Sequence, residues 1–334
     1  MDALRRNRQK PTVLVTGGAG FIGRWVVAEL LRRGQYDVTV LDNLQSGSKS
    51  NLSEFIGHPR FTELIVGDVR DWALLDDIFE RRSIHTVFHL AACINVQESI
   101  DEPTRVFQAD VVGTFDLLER ARRYNSRFVF MSTCMVYDRC SEPQGIAETS
   151  PTKPASPYAG AKLAAENMVL GYHHAYGMPV TILRPFNTYG PYQRADGEGG
   201  VVSIFCDRAD RGQMLNIYGD GTQTRDLLYV EDCARFVVDA GMHPAAEGRV
   251  LNAATGRDVT INELAKVIVG DESRIAHVKH IHPQSEIPKL LGNSDRAREL
   301  IGWEPVVSLE EGIARTRNHL AAANTDEGTR AGAA

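Results

Sequence analysis

The residues best placed to move a proton in this chain are Tyr158 and Lys162, in Tyr158-Ala-Gly-Ala-Lys162. On a helix a spacing of four stacks both side chains on one face. An ammonium beside a phenol favours the phenolate, lowers its pKa from about 10, and makes it a base for a hydroxyl proton. Taken alone, the pair reads as two surface neighbours. Thr133 changes that reading, because its hydroxyl follows a strand predicted over Arg127–Ser132. Ligands of doubly wound sheets bind outside the carboxyl ends of the strands.

A second constellation lies near the start, in Thr16-Gly-Gly-Ala-Gly-Phe-Ile-Gly23. A β-branched apolar run, Thr12–Thr16, precedes it, and a segment with helical apolar spacing follows, stopped by Gly34. Gly17 permits the tight strand-to-helix turn. Gly20 lets a pyrophosphate approach the helix N-terminus, and Gly23 lets helix and strand pack closely. The next strand, Asp37–Leu41, runs into Asp42, about 20 residues after the glycines, where a carboxylate meets a ribose 2′-hydroxyl. Dinucleotide binding is expected, with NAD preferred over NADP because a 2′-phosphate would face the charge of Asp42.

The elements that must position these groups alternate. Strands are predicted at Phe61–Val66, Thr86–Leu90, Arg127–Ser132 and Pro179–Leu183, and helices at about 71–82, 103–124 and 156–176. The pattern predicts an α/β fold: a doubly wound parallel (Rossmann) sheet over residues 1–185. After Pro185 the chain reads as a loop from Asn187 to Gly200 and then as a smaller α+β lobe over 186–320, parts of which, near 225–255, return to the sheet. Residues 321–334 read as a frayed tail.

Among 334 residues, 43% are hydrophobic and 24% charged, as in ordinary globular proteins. A net charge of −6 speaks against a binder of nucleic-acid backbones. The basic start, Arg5–Lys10, lacks the apolar segment of a signal peptide, and no run is long enough to span a bilayer. The cysteines at 93, 134, 140, 206 and 233 show no CxxC spacing, which suggests free thiols and a cytoplasmic location.

Taken in order, these segments resemble the extended short-chain dehydrogenase/reductases, specifically the NAD-dependent nucleotide-sugar epimerases and dehydratases. The resemblance covers about residues 12–320. It rests on TGGAGFIG (16–23), DNL (42–44), GDVRD (67–71), HLAA (89–92) and MSTCMVY (131–137), and on YAGAK (158–162), RPFNTYGP (184–191) and NIYGDGTQTRDLLYVED (216–232). It implies a catalytic trio of Thr133, Tyr158 and Lys162, with Lys162 also on the nicotinamide ribose. Asp68 and Val69 would hold the adenine and Pro185 would pack near the nicotinamide. Phe21, Ile22, Asn43, Leu90, Ala91 and Ala92 would complete the cofactor contacts. On the substrate side it implies Asn187 at the sugar diphosphate, Val201 and Val202 along the nucleotide path, Tyr218 against the base and Arg225 on a phosphate, with Cys134 and Met135 facing the sugar. A nucleoside-diphosphate sugar, UDP-linked by preference, is the implied partner, and a homodimer through a four-helix bundle the implied assembly. Apolar residues on more than one helix face, such as Phe115, Leu117, Leu118, Leu163, Met168, Val169 and Leu170, point the same way.

Several positions depart from the family pattern. Asp110 stands where an Asn usually opens the Asn-Val-x-Gly-Thr run. A second phosphate-binding arginine near 282–286 is missing, with His280, His282 and Lys289 as stand-ins. Cys134-Met135 replaces the Asp-Glu pair with which 4,6-dehydratases remove water. The expected activity is therefore a 4-epimerase acting through a transient 4-keto sugar, with a lyase or a net 4-dehydrogenase as alternatives. A carboxylate from elsewhere, Glu198 for example, would be needed for elimination. His277, His280 and His282 read as an exposed strand rather than a metal site, and Cys134 as packing rather than a nucleophile.

Overall fold

The computed structural model describes residues 10–138, 143–196, 200–279 and 287–331, with backbone alone for 324–331. Its first part runs β1 (Thr12–Thr16), α1 (Phe21–Arg33), β2 (Asp37–Asp42), β3 (Phe61–Val66), α2 (Trp72–Arg81), β4 (Ile84–His89), α3 (Val96–Asp101), α4 (Pro103–Phe107), α5 (Gly113–Arg123), β5 (Arg127–Met131), α6 (Pro157–Tyr176) and β6 (Val180–Pro185). There follow β7 (Asn187–Tyr189), α7 (Val201–Asp210), β8 (Leu215–Tyr218), β9 (Thr224–Tyr229), α8 (Val230–Met242), β10 (Arg249–Ala253), β11 (Asp258–Thr260), α9 (Ile261–Val269), β12 (Ile275–Val278), β13 (Lys289–Leu290), α10 (Asp295–Ile301) and α11 (Leu309–Ala331).

Seven parallel strands form the main sheet in the order β10-β6-β5-β4-β1-β2-β3. Runs such as Val13-Leu14-Val15 are wholly buried because helices cover both faces, which is what parallel sheets require. One face is filled by Val26, Leu30 and Val237 of α1 and α8, the other by Leu75, Leu117 and Val169 of α2, α5 and α6. The strand order reverses between β1 and β4, so a crevice opens at their carboxyl ends. Pairing of Arg249–Ala253 with Thr181–Pro185 adds β10 to the sheet after the chain has already begun the second lobe. That lobe holds the sheet β11-β9-β13, with β7 also on β9, the pair β12-β8, and its own core around Phe205, Leu215 and Leu264.

Three local expectations are revised. The helix expected over 103–124 is interrupted by a π-helical turn at Gln108–Val112, whose wider winding carries Asp110 into the interior. The segment read as a loop from Asn187 begins with β7, because Asn187–Tyr189 finds Leu227–Tyr229 as a parallel partner. Helical backbone of α11 continues to Ala331, past the start of the segment read as a tail.

Candidate active site

The glycine loop fits a dinucleotide. Gly17 adopts φ +70°, and a side chain there would strike the Ala91 backbone at 2.7 Å. A Cβ on Gly23 would lie 2.0 Å from the Gly17 carbonyl, so the first turn of α1 seats directly on the loop. Gly20 caps α1 without a side chain, leaving the amides of Phe21 and Ile22 at a bare helix N-terminus suited to a pyrophosphate. Asp42, at the tip of β2, accepts from the amides of Ala19 (2.9 Å) and Leu44 (2.8 Å). Burial raises its pKa against those two hydrogen bonds. Asp68 is clasped by Arg70 (2.8 and 2.9 Å) and by the Asn43 amide (2.9 Å). The Arg70 hydrogen bonds hold that carboxyl far below its ordinary value. Val69 packs against Gly113, where a Cβ would sit 2.9 Å from its methyl. Leu90 and Ala91 are tied to β1 through the Thr16 carbonyl (3.1 Å) and hydroxyl (3.3 Å), and Ala92 follows without bulk. Pro185 is buried at the end of β6, opposite Ala253.

The trio assembles beside this loop. Thr133 follows β5 and caps a short 3-10 turn, accepting from the Met135 amide at 3.2 Å. Its hydroxyl favours the ionised forms of the Tyr158 phenol and the Cys134 thiol, against the burial of both. Tyr158 and Lys162 enter from α6, which Ser156 caps by accepting from the Ala159 amide at 3.2 Å. The Lys162 Nζ donates to the Met131 carbonyl at 3.1 Å and lies 5.0 Å from the centre of the Phe130 ring. The expectation of a lowered Tyr158 phenol is corrected. Burial, chiefly, and then the Asp110 carboxylate raise it well above its ordinary value, while the Thr133 hydroxyl opposes them. A phenolate in this dry site loses more hydration than its neighbours return.

Behind the trio stands a polar wall that the sequence did not announce. His89 receives a hydrogen bond from Thr16 at Nδ1 (2.7 Å) and donates from Nε2 to Thr114 (2.9 Å); Thr114 in turn donates to the Asp110 carbonyl (2.6 Å). Thr114 spends its proton on that carbonyl, which assigns the imidazole tautomer. Burial lowers the His89 pKa to about 3, so the ring is neutral. Asp110 accepts from the Cys93 amide at 2.7 Å, while its second oxygen is buried without a partner. Ser132 Oγ is another buried atom without a partner.

Of the residues expected on the substrate side, Asn187 opens β7 and has a buried Oδ1 with no hydrogen bond. Cys134 is buried with Val136, Tyr137 and Phe186, and Met135 packs on the same cluster. Burial pushes the Cys134 thiol up to about 12, and it feels the charges of Arg225 and Asp226. Arg225 donates to the carbonyls of Thr224 and Ile287, each at 2.8 Å. Val201 opens α7 behind Gly200, but Val202 is buried in the lobe core, leaving only its backbone for a ligand. Tyr218 stands half-exposed at the end of β8. Lys289 lies on β13, and His277 on β12 meets Asn262 at 3.0 Å. His280, His282, Glu198 and Cys140 lie outside the described residues.

The family model for the NAD dependent epimerase/dehydratase family matches residues 13–254. The chain is 37% identical to the UDP-glucose 4-epimerase of Mycolicibacterium smegmatis, over 91% of this chain and 96% of that one. It is 34% identical to UDP-glucuronic acid decarboxylase 3 of Arabidopsis thaliana, over 90% and 86%. Among solved structures, Pal from Bacillus thuringiensis shares 54% identity and a TM-score of 0.91, covering 93% of this chain and 99% of that one. UDP-glucose 4-epimerase from Thermotoga maritima, solved with UDP-glucose, shares 36% and 0.87, with 93% and 99% covered. A glycine cradle for NAD, an acidic strand tip beyond it and a hydroxyl–phenol pair at the mouth of the parallel sheet thus sit in a chain that belongs to the NAD-dependent epimerase/dehydratase family.

Proposed function

We propose that the chain is a nucleotide-sugar 4-epimerase, with UDP-sugars as the favoured substrates, acting through a transient 4-keto sugar. Bound NAD would supply the hydride acceptor and a positive charge. Tyr158 takes the proton of the sugar 4-hydroxyl, and Thr133 hydrogen-bonds the same oxygen. Lys162 holds an ammonium behind the phenol. Asn187 and Arg225 bind the diphosphate, the arginine by its planar fork. Gly17, Gly20, Phe21 and Ile22 hold the pyrophosphate of NAD, Asp42 its ribose, and Asp68 with Val69 its adenine.

The observation that carries the choice of epimerase is Cys134-Met135. Elimination at C5/C6 needs a base and an acid. A thioether is no base, and a buried thiol pushed up to about 12 is a poor acid. Asp226, whose charge bears on that thiol, is bonded to four donors. The keto sugar therefore keeps its C5 hydrogen, and return of the hydride to the other face is its open exit. Turnover in heavy water is expected to give a product of unchanged mass with no deuterium at C5. Deuterium at C5, or loss of one water, defeats this reading in favour of a lyase.

A homodimer is part of the proposal. Leu117, Leu118 and Val169 are spent on the sheet, but Ile94, Ile100, Phe107 and Phe115 around α3–α5 remain exposed. A monomeric mass by light scattering at micromolar concentration removes it. The described cysteines, 93, 134, 206 and 233, are all free thiols, which suits a cytoplasmic location.

A further inference from the structure

We propose that Asp110 is the counter-ion of Lys162, a positioning residue whose carboxylate keeps that lysine an ammonium in the dry interior of the cleft. The inference rests on the reading of Lys162 as part of the site. The π-helical turn at Gln108–Val112 packs against α6 and turns Asp110 inward until it is fully buried. One carboxylate oxygen takes the Cys93 amide at 2.7 Å, and the other is buried with nothing bonded to it. Lys162 is equally enclosed, with its ammonium on the Met131 carbonyl and over the Phe130 ring. An amide donor suits a carboxylate, and a carbonyl and a ring face suit an ammonium, so each half has a neighbour that favours its charged form.

The competing groups are accounted for. On α6, Glu166 is bound twice by Arg184, at 2.8 and 2.5 Å, and Tyr158 is neutral. On β4, His89 is held neutral by burial and then by Lys162, and is bonded to Thr16 and Thr114. Cys93, in the loop beyond β4, is a thiol raised by burial and by Asp110, and Arg70, Arg105 and Glu98 also act on that thiol. Asp110 and Lys162 thus supply each other's opposite charge: burial discharges either one alone, and each opposes that discharge in the other. The same carboxylate disfavours the Tyr158 phenolate, so the lysine's charge is partly screened from the phenol.

The test is an NMR titration of the full chain labelled with ε-13C lysine, with the Lys162 signal identified by its loss in Lys162→Met. Asp110→Asn keeps an oxygen for the Cys93 amide and removes only the charge. Its Lys162 midpoint is expected to fall by about one pH unit or more. An unchanged midpoint overturns the proposal. Should Asp110→Asn not fold, the γ-carboxyl of Asp110 is followed in the parent and in Lys162→Met. Its midpoint is expected to rise when the ammonium is removed, and a fixed midpoint overturns the proposal equally. The alkaline limb of kcat/KM in Asp110→Asn tests the functional reading separately. If the Lys162 midpoint falls and that limb does not move, the charge pair stands and the catalytic role of Lys162 fails.

Discussion

Asp226 and Asp110 are both fully buried carboxylates, and their surroundings differ in kind. Asp226, on the seam between sheet and lobe, accepts from the Thr255 amide (2.8 Å) and hydroxyl (2.7 Å), the Gly256 amide (3.0 Å) and the Gly292 amide (3.2 Å). It ties β9 to the turn after β10 and to the strand end at Leu290. Asp110, on the wall of the cleft, has one amide and one bare oxygen. Glu166 and Arg184 follow the pattern of Asp226, pairing twice in the interior, with the guanidinium 4.6 Å from the centre of the Tyr137 ring. Ser132 and Asn187 follow the pattern of Asp110. Asp226 and the Glu166–Arg184 pair, which join elements, are saturated; Asp110, Ser132 and Asn187 each keep a free atom. Since an unsatisfied buried group costs about 1–3 kcal/mol, this division separates what the fold needs from what it leaves available to a ligand.

The sharpest way to break the comparison is at the cleft. Tyr158→Phe is expected to lower turnover ~10²–10⁴-fold while NAD affinity, measured by calorimetry, stays near the parent's, since only the proton-transfer group goes. Activity within a few-fold of the parent takes Tyr158 out of the mechanism. On the seam, Glu166→Ala strands a buried guanidinium and is expected to cost about 3–5 kcal/mol in urea unfolding. A loss below about 1 kcal/mol would mean that Arg184 finds water or another partner, and that saturation there is not structural.

Asp226→Asn replaces one acceptor oxygen by an NH2 group facing backbone N–H donors, and at neutral pH is expected to cost about 2–3 kcal/mol. The pH dependence has a definite sign. Burial pushes Asp226 up to about 6 from an ordinary 3.8, so the folded state holds this proton more tightly than the unfolded chain. Its contribution to stability is full below pH 3.8 and is lost as pH rises through about 6. Asp226→Asn should remove that slope from the stability profile, and an unchanged slope assigns it to other groups. Ser132→Ala, the smallest effect, is expected to change stability by less than about 1 kcal/mol, because the hydroxyl bonds nothing in the fold. A larger loss would place Ser132 with the seam groups.

The parts of the molecule that the sequence determined by itself are those with local causes. Alternating apolar runs and turn residues define β1, α1 and β2; the Gly17 turn needs a positive φ, the Gly23 contact forbids a side chain, and Asp42 falls at a strand tip by counting. The Tyr158–Lys162 spacing follows from helix geometry alone. What only the tertiary structure decided depends on which distant faces meet. A π-helical turn inside a periodic helix carried Asp110 inward, and residues 255, 256 and 292 converged on Asp226 across the seam. Val202 went to the lobe core. The Tyr158 phenol shows the limit most directly: four residues of spacing predict an ammonium's help, but its proton is governed by burial and by Asp110, which reaches it only through the fold. Desolvation and long-range charge depend on the packed environment in three dimensions, and no window of sequence contains it.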